Sequence, residues 1–243
     1  MPRLGAGERS FEAAAIVFDK DGVLLDFHHL WAAVTHARVT AVGGGEALRD
    51  LLGLDAAGRV QPAGLLAVGT RQESMTAAAT FLHQQGVPWH AARARAKLGF
   101  ETADAGIDRQ ALTRALPGVP EALHALRAAG FQLAIATTDE TAGALHFLDA
   151  CGLRALFGSV VGADRVAESK PAPFMFRLAC AELGVRPGAA VMVGDVDLDL
   201  MMGRTAGCAG TIGVRSGVAD DALLAPHADV IVDGVWRLAA RTD

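Results

Sequence analysis

No stretch of this chain approaches the roughly 18 consecutive apolar residues that a membrane-spanning helix needs, so a membrane partner is not expected. Positive charge is not in excess either. Twenty-two Lys and Arg stand against 27 Asp and Glu, a formal charge of -5, which leaves no basic field to recruit nucleic acid or an anionic bilayer. Cysteine is scarce: Cys151, Cys180 and Cys208 are odd in number, far apart and without CxxC spacing, which argues against a disulfide framework and a zinc site. Buried thiols in a cytoplasmic protein are the expectation. The segment Met1 to Ser10 is polar and glycine-bearing, with no apolar leader. The number of copies in the assembly is left open.

What is present is a chain of 243 residues, 51% apolar and 20% charged, a composition that folds around a sizeable core rather than staying disordered. From Ala13 to Phe18 a short apolar run ends abruptly in acidic residues, the pattern of a buried strand. Beyond Pro117-Gly118 the chain alternates. Helical spacing over Val119 to Ala129 stops at Gly130, and Phe131 to Ala136 is a buried-strand run. Helix is then expected over Glu140 to Ala150, Pro173 to Gly184 and Asp197 to Ala206. Strands are expected over Ser159 to Gly162, Ala190 to Val193, Gly210 to Val214 and Asp229 to Val232. Such alternation predicts an α/β, doubly wound, mainly parallel Rossmann-like sheet. Residues 27–116 interrupt it with an Ala-rich helical pattern, read as an inserted α-helical cap, so that residues 1–26 and 117–243 form the catalytic core.

In an open parallel sheet the ligand site lies beyond the C-terminal strand ends, so the residues that follow each apolar run are the candidates. Asp19 and Asp21 follow the first run, Thr137 and Thr138 the second, Lys170 lies after the third, and Asp195 with Asp199 follow the fourth. In extended chain the carboxylates of Asp19 and Asp21 point to one side and Lys20 to the other. Carboxylates converging without a cation repel, whereas a divalent ion lets them stay charged, and oxygen-only ligands suit magnesium. Asp19, Asp21, Asp195 and Asp199 are the candidate metal set, with Asp197 also close to Asp195. A carboxylate attacking a phosphate is opposed by about 4 kcal/mol per charge pair at an effective dielectric near 20, which Mg2+ and Lys170 would offset. Thr137, Thr138 and Lys170 are the candidate phosphate contacts. Any one of these residues alone is more simply a cap, a turn or a surface charge. Their shared place beyond four successive strands is what makes them a site.

Phe18-Asp19-Lys20-Asp21-Gly22-Val23-Leu24 resembles the first motif of the haloacid dehalogenase-like superfamily. Ala134-Ile135-Ala136-Thr137 resembles its second, Lys170-Pro171 its third, and Val193-Gly194-Asp195 with Asp199 its fourth. The resemblance covers nearly all of the core and little of the cap. It implies Mg2+ held by Asp19, Asp195 and the backbone carbonyl of Asp21, and hydrolysis of a small phosphorylated metabolite through an aspartyl phosphate on Asp19. It gives Asp21 the role of acid and then base. Dehalogenases and phosphonoacetaldehyde hydrolases of the superfamily lack an aspartate at the place of Asp21, which argues against both. A phosphosugar mutase of the β-phosphoglucomutase type and a non-catalytic binding protein remain as alternatives. In the cap, His28, His29, Trp31, Arg71, Trp89 and Lys97 match no motif; most read as packing or surface residues, with one of His28 and His29, at the hinge after the first motif, the alternative candidate for a substrate contact.

Overall fold

The computed structural model describes residues 1–62 and 64–241 and divides the chain into two compact units, Met1–Asp26 with Thr113–Asp243 and Phe27–Leu112. Among the described residues no helix is long and apolar enough to cross a membrane.

The larger unit carries a six-stranded parallel sheet in the order β5-β4-β3-β6-β7-β8. These strands are β3 (Ala15–Phe18), β4 (Gln132–Ala136), β5 (Phe157–Val161), β6 (Ala190–Gly194), β7 (Gly210–Val214) and β8 (Val230–Val232). Helices Val119–Ala128, Thr141–Ala150, Phe174–Glu182 and Asp197–Ala206 form the main crossovers. The central strand β3 is buried along its whole length, which is why it is written as a continuous apolar run rather than an alternating one. Ala15 and Val17 pack on one face with Ala134, Met192, Met175, Phe176 and Met202. Ile16 and Phe18 turn to the other, where Phe18 meets the Phe157 ring edge-on with centroids 6.4 Å apart.

The chain passes from β3 outward through β4 and β5, then returns to the opposite side of β3 and continues through β6, β7 and β8. The strand order therefore reverses between β3 and β6, and a crevice opens there at their C-terminal ends. Phe18 pairs with Val193 across that seam, and the amide of Asp19 donates to the carbonyl of Val193 at 2.9 Å. The acidic residues that follow these two strands are thus adjacent by register.

Two features depart from the sequence expectation. Before Ala13, β1 (Arg3–Ala6) and β2 (Arg9–Glu12) form a hairpin, and β1 also pairs with β9 (Leu238–Arg241) in a separate antiparallel sheet. The loop is Gly7-Glu8, with φ of +55° at Gly7 and no positive φ at Glu8, the requirement of a two-residue II′ turn. The polar composition hid it because this sheet exposes most of its outer strands, β2 and β9. The helical unit also closes at Leu112 rather than at 116. Residues 113–116 belong to the larger unit because the backbone there bonds to the loop after β3: Asp26 N donates to Arg114 O at 3.0 Å and Leu116 N to Leu24 O at 2.9 Å.

The second unit comprises helices Phe27–Val42, Gly45–Leu52, Leu65–Val68, Arg71–Gln84, Trp89–Gly106 and Arg109–Leu112. Small buried residues, Ala78, Ala79, Ala92 and Ala96, let its long helices approach around Val34, Leu48, Leu82 and Phe100. Thr70 starts the Arg71–Gln84 helix with a capping box: its hydroxyl accepts from Glu73 N at 3.2 Å, and Glu73 Oε2 accepts from Thr70 N at 2.7 Å. Within this unit Arg38, 2% exposed, lies over the Phe100 ring and donates to Asp104 Oδ1 at 2.8 Å. Arg71 donates to the other oxygen of Asp104 at 2.8 Å, and Arg109 approaches it at 3.9 Å.

Candidate active site

The four candidate motifs sit at the C-terminal ends of β3, β4, β5 and β6, all in the larger unit. Asp19, Asp195 and Asp199 come together: one carboxylate oxygen from each lies within 4.8 Å of the others, and all three residues are buried. Lys170 reaches into the group from the loop after β5. Its ammonium donates to Asp19 Oδ1 and to Asp199 Oδ1, each at 2.6 Å, with the side chain 3% exposed. Burial disfavours the ammonium, but Asp19 and Asp199 outweigh it, so Lys170 stays protonated far above the ordinary lysine range.

Asp195 and Asp199 are placed by backbone. Asp199 begins the helix after β6 from inside its first turn, and its Oδ2 accepts from the amides of Asp195 at 3.2 Å and Val196 at 3.3 Å. Asp195 Oδ2 accepts from Val218 N at 3.0 Å. A side chain at Gly22 or Gly217 would collide with the Asp195 carboxylate, and Gly22 also holds φ at +74°, so two glycines make the room this carboxylate occupies. Asp197, by contrast, is only half-buried and falls outside the carboxylate group. Between the two aspartates near Asp195, Asp199 is the one that joins it.

Three clustered carboxylates against one ammonium leave the site electronegative. Burial pushes the Asp195 carboxyl well above the usual carboxylate range, with Asp199 and Asp19 adding to the shift. Burial likewise raises Asp199 to about 6, opposed in part by Lys170. A buried, oxygen-only, proton-hungry set is the donor chemistry that a hard divalent cation satisfies, so these residues fit Mg2+. Asp19, Asp195 and Asp199 are the side chains that could hold it.

The side chain of Asp21 lies elsewhere than strand periodicity predicts. The backbone bends at Lys20 and does not remain extended, so the Lys20 and Asp21 side chains meet, Nζ to Oδ2 at 3.2 Å, where alternation puts them on opposite sides. The Asp21 carboxylate therefore stands outside the three-carboxylate group. Burial, the largest cause, raises its proton affinity, and Asp19 adds to it against the opposing pull of Lys20. Thr137 is fully buried; its amide donates to Val161 O at 3.0 Å and its hydroxyl accepts from Asp139 N at 3.2 Å, while Thr138 is exposed.

Sequence reasoning missed Asp139, whose Oδ2 accepts from Lys20 Nζ at 2.8 Å. The strand-end rule that selected Thr137 reaches Asp139 two residues later, so the signal was available. Several of the cap residues that match no motif have partners within the helical unit. His28 Nδ1 accepts from Val60 N at 3.1 Å, Arg71 pairs with Asp104, and Lys97 is an exposed charge 3.8 Å from Glu101. A groove of about 310 Å3 lined by Met75, Trp89, His90, Arg93 and Lys97 lies wholly within the helical unit and contains none of the motif residues.

A doubly wound sheet with an acidic cluster and one lysine at its switch point places a candidate site where open α/β sheets bind their ligands. A sequence model of the haloacid dehalogenase-like hydrolase family matches residues 13–207, and the chain belongs to that family. It is 45% identical over 118 residues to the probable phosphatase IndB of Dickeya dadantii, covering 48% of this chain and 51% of that protein. To the phosphoglycolate phosphatase of Chromobacterium violaceum it is 36% identical over 126 residues, 52% of this chain and 55% of the other. The chain thus spans about half the length of the curated relatives it matches. Among solved structures, a hydrolase of the same family from Deinococcus radiodurans with bound phosphate and sodium superposes with a TM-score of 0.66, at 26% identity over 92% of both chains.

Proposed function

We propose that this protein is a Mg2+-dependent phosphatase that hydrolyses a small phosphorylated metabolite through an aspartyl phosphate on Asp19. The observation that carries this reading is the convergence of Asp19, Asp195, Asp199 and Lys170 at the reversal of strand order. Asp19 supplies the nucleophilic oxygen, and Lys170, already bonded to Asp19, holds a phosphate oxygen and offsets its charge. Thr137, through its hydroxyl, and Thr138, through its amide, hold further phosphate oxygens. Asp21 gives a proton to the departing alkoxide as the ester bond breaks, then takes one from the water that cleaves the aspartyl phosphate. When bound, Mg2+ neutralises charge on the phosphate and on the clustered carboxylates. The helical unit selects the leaving group. The relatives named phosphoglycolate phosphatase make phosphoglycolate the first substrate to try.

The test is phosphate release from phosphoglycolate, sugar phosphates, nucleotides and p-nitrophenyl phosphate, with Mg2+ and with chelator. Release in Mg2+ alone, lost by roughly 10⁴-fold in Asp19→Asn, is expected. Substantial turnover by Asp19→Asn, or turnover indifferent to chelator, contradicts the reading. Transfer of the phosphoryl group to a sugar without free phosphate would mark a mutase.

A further inference from the structure

We propose that Lys20 and Asp139 are positioning residues for Asp21: a buried ammonium bridge that fixes the acid–base carboxylate by tying it to the loop after β4. The inference rests on the acid–base role given to Asp21 above. Lys20 Nζ lies 2.8 Å from Asp139 Oδ2 and 3.2 Å from Asp21 Oδ2, and its side chain is 8% exposed. Burying an ammonium and ordering a lysine side chain are both unfavourable, so this placement needs a compensating arrangement. Asp21 and Asp139 provide it. Burial pulls the proton affinity of Lys20 down and the two carboxylates raise it by more, so Lys20 remains a cation.

The far end of the bridge is rigid. Asp139 Oδ1 accepts from Glu140 N at 2.8 Å, its own amide donates to Thr137 Oγ1 at 3.2 Å, and its carbonyl accepts from Ala163 N at 3.0 Å. Gly143, in the first turn of the next helix, carries no Cβ where one would lie 2.5 Å from Asp139 Oδ2. The near end is a loop that needs help. Asp21 precedes Gly22 at φ +74°, and its carboxylate pairs with Lys20. The ion pair uses Oδ2, and no hydrogen bond to Oδ1 is present among the described residues. Asp139 in turn bonds the hydroxyl of Thr137, so one connection links the group that receives the leaving oxygen to the loop that holds the phosphate.

Proton donation matters in proportion to how poor the leaving group is. A misplaced acid is felt on an alkyl ester and hardly on a nitrophenyl ester, whose phenolate departs unaided. A staple between two loops with no role in proton delivery would instead lower turnover on every ester alike. The experiment compares kcat and KM of wild type, Asp139→Asn, Asp139→Glu and Lys20→Gln on an alkyl phosphate that the enzyme hydrolyses and on p-nitrophenyl phosphate. Asp139→Asn is expected to lose roughly 10-fold or more of kcat/KM on the alkyl ester, several times its loss on the aryl ester, because kcat/KM reports departure of the alcohol and not the later hydrolysis of the aspartyl phosphate that all esters share. Lys20→Gln should show the same selectivity, which keeps the test available if Asp139→Asn folds poorly, and Asp139→Glu should recover part of the loss. Equal losses of kcat/KM on both esters, or none, overturn the bridge while leaving the phosphatase reading intact. The loss of that reading has a different signature, turnover surviving in Asp19→Asn.

Discussion

Each unit holds an ionic cluster, buried in the sheet unit and half-exposed in the helical one, and the clusters are charge inverses. In the sheet unit three carboxylates, Asp19, Asp195 and Asp199, surround one ammonium, Lys170. In the helical unit three guanidiniums, Arg38, Arg71 and Arg109, surround one carboxylate, Asp104. The imbalance is similar in size, but its consequences differ, because a carboxylate can take up a proton or a metal and an arginine cannot give its proton away. An acidic excess is therefore a site that can be filled; a basic excess around a fully bonded carboxylate, stacked on Phe100, is a packing solution.

Cutting out the centre of each cluster exposes this difference. Asp104→Ala should cost about 3–5 kcal/mol in urea unfolding at pH 7, because it strands the buried Arg38 guanidinium. Burial works against the Asp104 carboxylate, but Arg71 and Arg38 outweigh it and hold its proton affinity below the ordinary 3.8. Its contribution is then fully present above that pH and lost as pH falls through the lower folded value. The difference between variant and wild type should be the same at pH 8 and pH 5, and a gap that closes across that range would break the comparison.

Lys170→Ala should cost somewhat less, about 3 kcal/mol at pH 8. Here the neighbours can respond. Removing the ammonium lifts the Asp195 and Asp199 carboxyls further above their unfolded values, and a group raised in this way returns stability as pH falls through its folded value. The loss should shrink by pH 5 and on addition of Mg2+. An equal loss under all three conditions would mean that the acidic cluster is as inert as the basic one.

The same contrast explains what could be read from the sequence. The parallel sheet was legible because β3, β4 and β6 are buried on both faces and so appear as unbroken apolar runs. The meeting of Asp19 with Asp195 and Asp199 followed because they sit just after β3 and β6, neighbouring strands whose ends sheet geometry brings together. Lys20 escaped because a backbone bend overrides strand alternation. Arg38 and Asp104 escaped because they are 66 positions apart on helices whose faces meet only in the folded unit. The β1–β2 hairpin escaped because its strands are only four residues each and β2 is mostly exposed, too little to show a pattern. Helix pairing depends on which faces touch, and composition alone carries little of that.

The smallest effect sharpens the account of the basic cluster. Arg71 is 46% exposed at its side chain, and Arg71→Ala should cost no more than about 1 kcal/mol despite its 2.8 Å bond to Asp104, since water screens that pair. A loss as large as that of Asp104→Ala would make the cluster cooperative rather than centred on Arg38.

The central claim is that the acidic cluster serves phosphoryl transfer to Asp19. It is tested most directly by acid-quenching the protein during Mg2+-supported turnover of p-nitrophenyl phosphate and mapping the phosphoryl group by peptide mass spectrometry. The account predicts one added phosphoryl group on the peptide containing Asp19, absent in Asp19→Asn and absent with chelator. A phosphoryl group carried by any other residue during turnover would contradict it.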